Sequence, residues 1–174
     1  MNGQNEILIL TGACGVGKST IGKLWAQSKK GVCIECDCFT SWIYDGHPIT
    51  TAYFLEVEPM VARLAWQSTK AYLDNGFSVA IENVWTPKGL RRLKDACDKN
   101  DVNAKFVYLT CGLQENKKRD QLRRNDCQMK ERVALVRSEL EAQNWPDFAH
   151  RLDTSGQTSE TTLKQIDGLN VLTE

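Results

Sequence analysis

The apolar positions of this chain fall into short runs separated by longer amphipathic stretches. Glu6-Ile-Leu-Ile-Leu-Thr11 is a continuous apolar run closed by a glycine, the pattern of a strand buried on both faces. From Lys18 to Gln27 the period lengthens, with Ile21, Leu24 and Trp25 on one side, and this predicts a helix. Val32 to Cys36, Phe77 to Ile81 and Lys105 to Leu109 read as three further strands. Between Phe39 and Asn75 lies an aromatic-rich stretch, loop-like around Asp45-Gly46-His47-Pro48 and helical from about Glu58 to Leu73. Thr86-Pro87 opens a helix running to about Asn100, because Thr is a good N-cap and Pro is tolerated at the first helical position. Glu115 to Ala142 reads as mostly helix and His150 to Asp153 as a short fifth strand. A Thr/Ser-rich loop and a last helix near Ser159 to Ile166 follow. Strands alternating with helices predict an α/β fold, a five-stranded mostly parallel sheet with helices on both faces. No internal repeat or low-complexity linker interrupts residues 1–174, so a single domain is expected.

One glycine-rich turn turns this fold prediction into a chemical one. Gly12-Ala13-Cys14-Gly15-Val16-Gly17-Lys18-Ser19-Thr20 matches GxxxxGK[ST], and it follows a predicted strand and opens a predicted helix. Glycines let backbone N–H groups close around phosphate oxygens, and the helix N-terminus adds partial positive charge. Lys18 is placed to reach the β- and γ-phosphates and the Ser19 hydroxyl to ligate Mg²⁺, so ATP and Mg²⁺ are the expected cofactors.

Here the chain resembles the P-loop small-molecule kinases, such as gluconate, shikimate and adenylylsulfate kinases and chloramphenicol phosphotransferase. The resemblance covers nearly the whole chain and implies a three-layer P-loop NTPase fold with a helical lid at about residues 114–128. The acceptor region would be about 38–75, and the activity transfer of the γ-phosphoryl group to a hydroxyl of a sugar acid, nucleoside or antibiotic-like molecule. Glu35-Cys-Asp37 resembles the D-x-D of shikimate-kinase-like enzymes, with both acids on a strand end and pointing the same way. By that likeness Asp37 serves the acceptor hydroxyl and Glu35 holds water on Mg²⁺. Glu82 follows the third strand, where P-loop folds often carry a metal-side acid, and Asn83 beside it is placed to orient substrate. The triple-glycine turn of shikimate kinases is replaced by Glu82-Asn-Val-Trp85, which argues against shikimate. Lys117-Lys-Arg119-Asp-Gln-Leu-Arg123-Arg124 stands where these kinases carry a lid, with Arg119 and Arg123 on one helical face. Bidentate Arg suits developing charge on phosphoryl oxygens. Asp153-Thr154-Ser155-Gly156 resembles the loop that cups adenine.

Composition narrows the partners. Lys+Arg and Asp+Glu are 22 each, so no global field draws the chain onto nucleic acid or anionic lipid. The longest N-terminal apolar run, Ile7 to Leu10, is too short to span a membrane and has no cationic segment before it. A cytoplasmic enzyme, monomer or homodimer, with a small-molecule acceptor is expected. Seven cysteines fit reduced thiols; Cys33, Cys36 and Cys38 crowd together but lack a second metal-ligand pair. From Gly31 to Ala62 there is no Lys or Arg, while Glu35, Asp37, Asp45, Glu56 and Glu58 stand among Phe39, Trp42, Tyr44, Tyr53 and Phe54. This favours a neutral or cationic, partly apolar hydroxyl compound over a nucleoside monophosphate, with Arg63 as the cation nearest to hand for gluconate. The alternatives are a nucleotide-dependent ATPase or switch protein without an acceptor, disfavoured by the E-x-D beside an Arg cluster, and a nucleoside monophosphate kinase.

Overall fold

The structure is a computed structural model that describes residues 5–46, 50–123 and 128–170. Five strands, β1 (Ile7–Thr11), β2 (Val32–Glu35), β3 (Val79–Glu82), β4 (Ala104–Thr110) and β5 (Ala149–Asp153), form one sheet in the order β2-β3-β1-β4-β5. Every pairing is parallel, so the sheet is wholly rather than mostly parallel. The central strand β1 pairs Ile9 with Ile81 of β3 on one side and with Phe106 of β4 on the other. All five β1 residues are buried, as its unbroken apolar run requires.

The period-2 alternation of the strands sorts the core into two layers. Ile7, Ile9, Val79, Ile81 and Phe106 face the helices α3 (Thr51–Asp74) and α4 (Pro87–Lys99), meeting Val61, Ala65, Leu90 and Leu93. Leu8, Leu10, Ala80, Val107 and Leu109 face α1 (Lys18–Ser28), α6 (Arg132–Glu141) and α7 (Ser159–Asp167), meeting Ile21, Trp25, Val136, Leu140 and Ile166. Thr86 caps α4 as its sequence predicts, its Oγ1 accepting a hydrogen bond from Gly89 N at 3.1 Å. Among the described residues no helix is long and apolar enough to cross a membrane.

Three elements depart from the sequence reading. Strand β2 stops at Glu35, and the short helix α2 (Asp37–Ser41) begins where the strand was expected to continue. Helix α3 starts at Thr51 rather than about Glu58, with the Thr50 side chain accepting from Tyr53 N at 3.2 Å. Pro59 lies inside α3, where its missing N–H forfeits one rung of a long helix. The helix expected over 115–142 is two, α5 (Leu113–Gln121) and α6. The Asp120 carboxylate accepts from Met129 N and Lys130 N, which ties these two residues to the end of α5. His47 and Arg124 lie outside the described residues.

Candidate active site

A cavity of about 570 Å³ opens over the carboxyl edge of the sheet. Residues Cys14 to Ile21 form its floor, Glu35, Asp37 and Glu82 lie on the β2–β3 side, and Arg119, Arg123, Thr154 and Gln157 lie on the β4–β5 side. Such an edge, where the chain turns from one half of the sheet to the other, is where open α/β sheets bind ligands.

The floor is shaped by glycine. Gly12 has φ of +136°, and a Cβ there would stand 2.3 Å from the Leu109 carbonyl oxygen, so no side chain fits. Gly17, at φ of +105°, precedes α1 without any side-chain cap, which leaves the first-turn N–H groups for an anion. Lys18 is 8% exposed and its Nζ donates to the Ala13 carbonyl at 3.1 Å, holding the ammonium across the loop. Asn116 of α5 donates through Nδ2 to the Cys14 carbonyl, which ties the loop to the element after β4.

Beside this loop stands a buried acid. Glu82 is 3% exposed, and Ser19 Oγ donates to its Oε1 at 2.9 Å. Burial pushes the Glu82 carboxyl above the ordinary carboxylate range; Lys18 and the Ser19 bond pull it back, while Asp37 and Glu35 push it further up. A desolvated carboxylate against a hydroxyl and an ammonium fits a divalent cation held mainly by phosphate and water oxygens. Among the described residues no three His, Cys, Asp or Glu side chains converge into a metal cage. Glu35 takes another partner, with Lys23 Nζ at 3.0 Å from its Oε1. The structure thus joins Ser19 to Glu82 and turns Glu35 towards α1.

Asp37 is the first residue of α2, so Glu35 and Asp37 do not share a strand face as expected, although both line the cavity. The chain leaves the strand at Cys36, which is fully buried and donates through N to the Glu82 carbonyl at 3.0 Å. Cys38 lies in α2 and not on the strand. Burial pushes the Cys33 thiol up to about 12 and also raises Cys36 and Cys38, which keeps all three protonated and poor metal ligands.

On the opposite side Arg119 forms a hub. Its guanidinium donates to the Thr154 carbonyl at 2.9 Å, to Thr154 Oγ1 at 3.0 Å and to the Val16 carbonyl at 3.4 Å, and it ion-pairs with Glu115. Thr154 Oγ1 also donates within reach of Val16 and Thr110 carbonyls, so the P-loop, α5 and the β5–α7 loop are one connected wall. Arg123 lines the cavity and lies 3.6 Å from the buried Asp120 carboxylate. Gln157, Thr158, Ser159 and Thr162 complete this wall and escaped the sequence reading. Their signal was the polar i, i+3, i+4 spacing at the start of the last helix, which an exposed helix shows equally well.

Other candidates stand elsewhere. Ser155 faces the loop itself, accepting from Gly112 N at 2.8 Å and donating to Asp153 Oδ1 at 2.7 Å. Trp42 is 64% exposed and Arg63 is exposed on α3, and neither lines the cavity. Asn83 is buried just beyond Glu82, outside the cavity lining, with no partner for its Oδ1 among the described residues. Glu58, expected among the acids of the acceptor region, is buried against α4, where it accepts from Thr86 N and Thr86 Oγ1, each at 2.8 Å.

No family model matches the chain, and no curated protein sequence matches it. Solved structures do. A gluconokinase from Sinorhizobium meliloti 1021 is similar with a TM-score of 0.64 and 16% identity, over 94% of this chain and 89% of that one. The tunicamycin resistance protein of Deinococcus radiodurans gives 0.66 and 15% identity over 98% and 99%. The Mycobacterium tuberculosis APS kinase CysC, solved with AMPPNP and APS, gives 0.64 and 15% identity over 94% and 96%. The chain has the fold of the P-loop small-molecule kinases.

Proposed function

We propose that this protein is an ATP- and Mg²⁺-dependent kinase that moves the γ-phosphoryl group to a hydroxyl of a small molecule. The observation that carries the proposal is the joining of Ser19 to buried Glu82 beside Lys18, with Asp37 on the same cavity. An ATPase needs the first three residues, whereas a second acid over β2 on the same cavity is placed to meet an acceptor hydroxyl. The kinases that share the fold support the same reading.

In this proposal the P-loop N–H groups and Lys18 hold the triphosphate. Ser19 is the residue that would hold Mg²⁺, with Glu82 oriented behind it, and the metal would supply charge neutralisation at the phosphate oxygens. Arg119 and Arg123 offset charge on the transferring group from the other wall. Asp37 accepts the acceptor's hydroxyl proton as the new O–P bond forms, the bond to the β-phosphate oxygen breaks and ADP leaves. A screen of alcohols for acceptor-stimulated ADP release tests this. Lys18→Ala should abolish the stimulated rate in a protein that still folds, because Lys18 contacts the P-loop and phosphate rather than the hydrophobic core. Stimulated release that persists in that variant contradicts the assignment.

A further inference from the structure

The strand order separates the two halves of the cavity. Arg119, Thr154 and Gln157 belong to elements that follow β4 and β5, whereas Glu35 ends β2 and Asp37 follows it, at the far edge of the sheet. Four strand spacings of about 4.8 Å put these edges roughly 19 Å apart, with the P-loop between them. The cations that line the cavity are Lys18, on the P-loop, and Arg119 and Arg123, on the nucleotide wall. None of the described lining residues on the β2–β3 side is cationic.

The cations nearest to that side are otherwise engaged or turned away. Lys23 is paired with Glu35. Arg92 lies 3.6 Å from the buried Glu58 carboxylate and does not line the cavity. Arg63 and Arg91 are exposed and do not line it. A bound carboxylate or phosphate needs a charge-assisted partner to offset its desolvation, and at close range to uncompensated acids it is repelled. Beyond Asp37, Trp42 and Tyr44 are 64% and 93% exposed and offer flat apolar faces.

We propose, resting on the kinase reading above, that the acceptor is an alcohol that carries no carboxylate or phosphate, being either uncharged or cationic. A sugar acid or a nucleoside monophosphate would place its anion against Asp37, with no cation among the described lining residues on that side to receive it.

The test is acceptor-dependent ADP release with Mg²⁺–ATP over matched alcohols, such as glucitol against gluconate, uridine against uridine monophosphate, and amino alcohols against hydroxy acids. Binding of each compound to the ADP-loaded protein is followed in parallel by thermal shift. The proposal expects turnover or binding among uncharged or cationic members, with each anionic partner weaker by at least about tenfold in kcat/KM or Kd. An anionic member used as well as its uncharged partner overturns the charge assignment and leaves the kinase reading standing. ATP hydrolysis that no alcohol stimulates, with no alcohol bound, overturns the kinase reading and this proposal with it.

Discussion

Glu82 shows how one residue can serve a site at the expense of the fold. Its carboxyl is held above the ordinary range by burial, so the folded chain binds its proton more readily than the unfolded chain does. The associated stability is fully present below the unfolded pKa and is lost as pH rises through the raised folded value. Above the unfolded pKa the burial of this carboxyl therefore costs stability. Glu82→Gln should raise the Tm of the nucleotide-free protein at neutral pH, with the gain vanishing towards about pH 4, where Glu is protonated in both states. The same variant should need more Mg²⁺ for half-maximal ADP release, because Ser19 loses its charged partner. Thermal unfolding across pH, with a Mg²⁺ titration, checks both; an unchanged Tm at neutral pH would contradict the desolvation account. At this scale the sequence was most legible where chemistry dictates residue type, as in Gly12, Lys18 and Ser19. It was least legible where a side chain has two partners within reach. Nothing in Glu35-Cys-Asp37 says that Lys23 takes Glu35, nor that buried Cys36 turns the chain so that Asp37 starts a helix.

At the scale of elements, the contact of α1 with β2 sets how the P-loop meets the acids. Gly22 on α1 packs closely on β2, since a Cβ would stand 2.8 Å from Cys33 Sγ and would force that half-buried sulfur to shift. Gly22→Ala gains helix propensity of up to ~1 kcal/mol but overpacks this contact at a cost of about 1–3 kcal/mol. The variant should be destabilised overall, and Cys33→Ala in the same chain should restore part of the loss. Denaturant unfolding of the two single variants and the double variant measures the coupling; strictly additive changes would show that the sulfur is not the obstacle. Strand and helix types were legible here because apolar runs and 3.6-residue periods are local. The extent of α3 and the split of α5 from α6 were not. The apolar pattern starts this helix only at about Glu58 whereas it begins at Thr51, and the end of α5 is tied by Asp120 to Met129, nine residues away. Glu58 illustrates the same limit, because its partner Thr86 lies 28 residues away.

For the whole molecule, the order β2-β3-β1-β4-β5 is what turns separate motifs into a kinase-like site. It places the P-loop centrally, Asp37 to one side and the Arg119–Thr154 wall to the other. The fate of the γ-phosphoryl group tests the account most directly. The intact protein is incubated with Mg²⁺ and γ-labelled ATP in a protein-free filtrate of small metabolites, beside Asp37→Asn. The account predicts label in an acid-stable phosphate ester, formed ~10²-fold more slowly by Asp37→Asn at unchanged ATP affinity. Label released only as inorganic phosphate, at the same rate in both proteins, would contradict it.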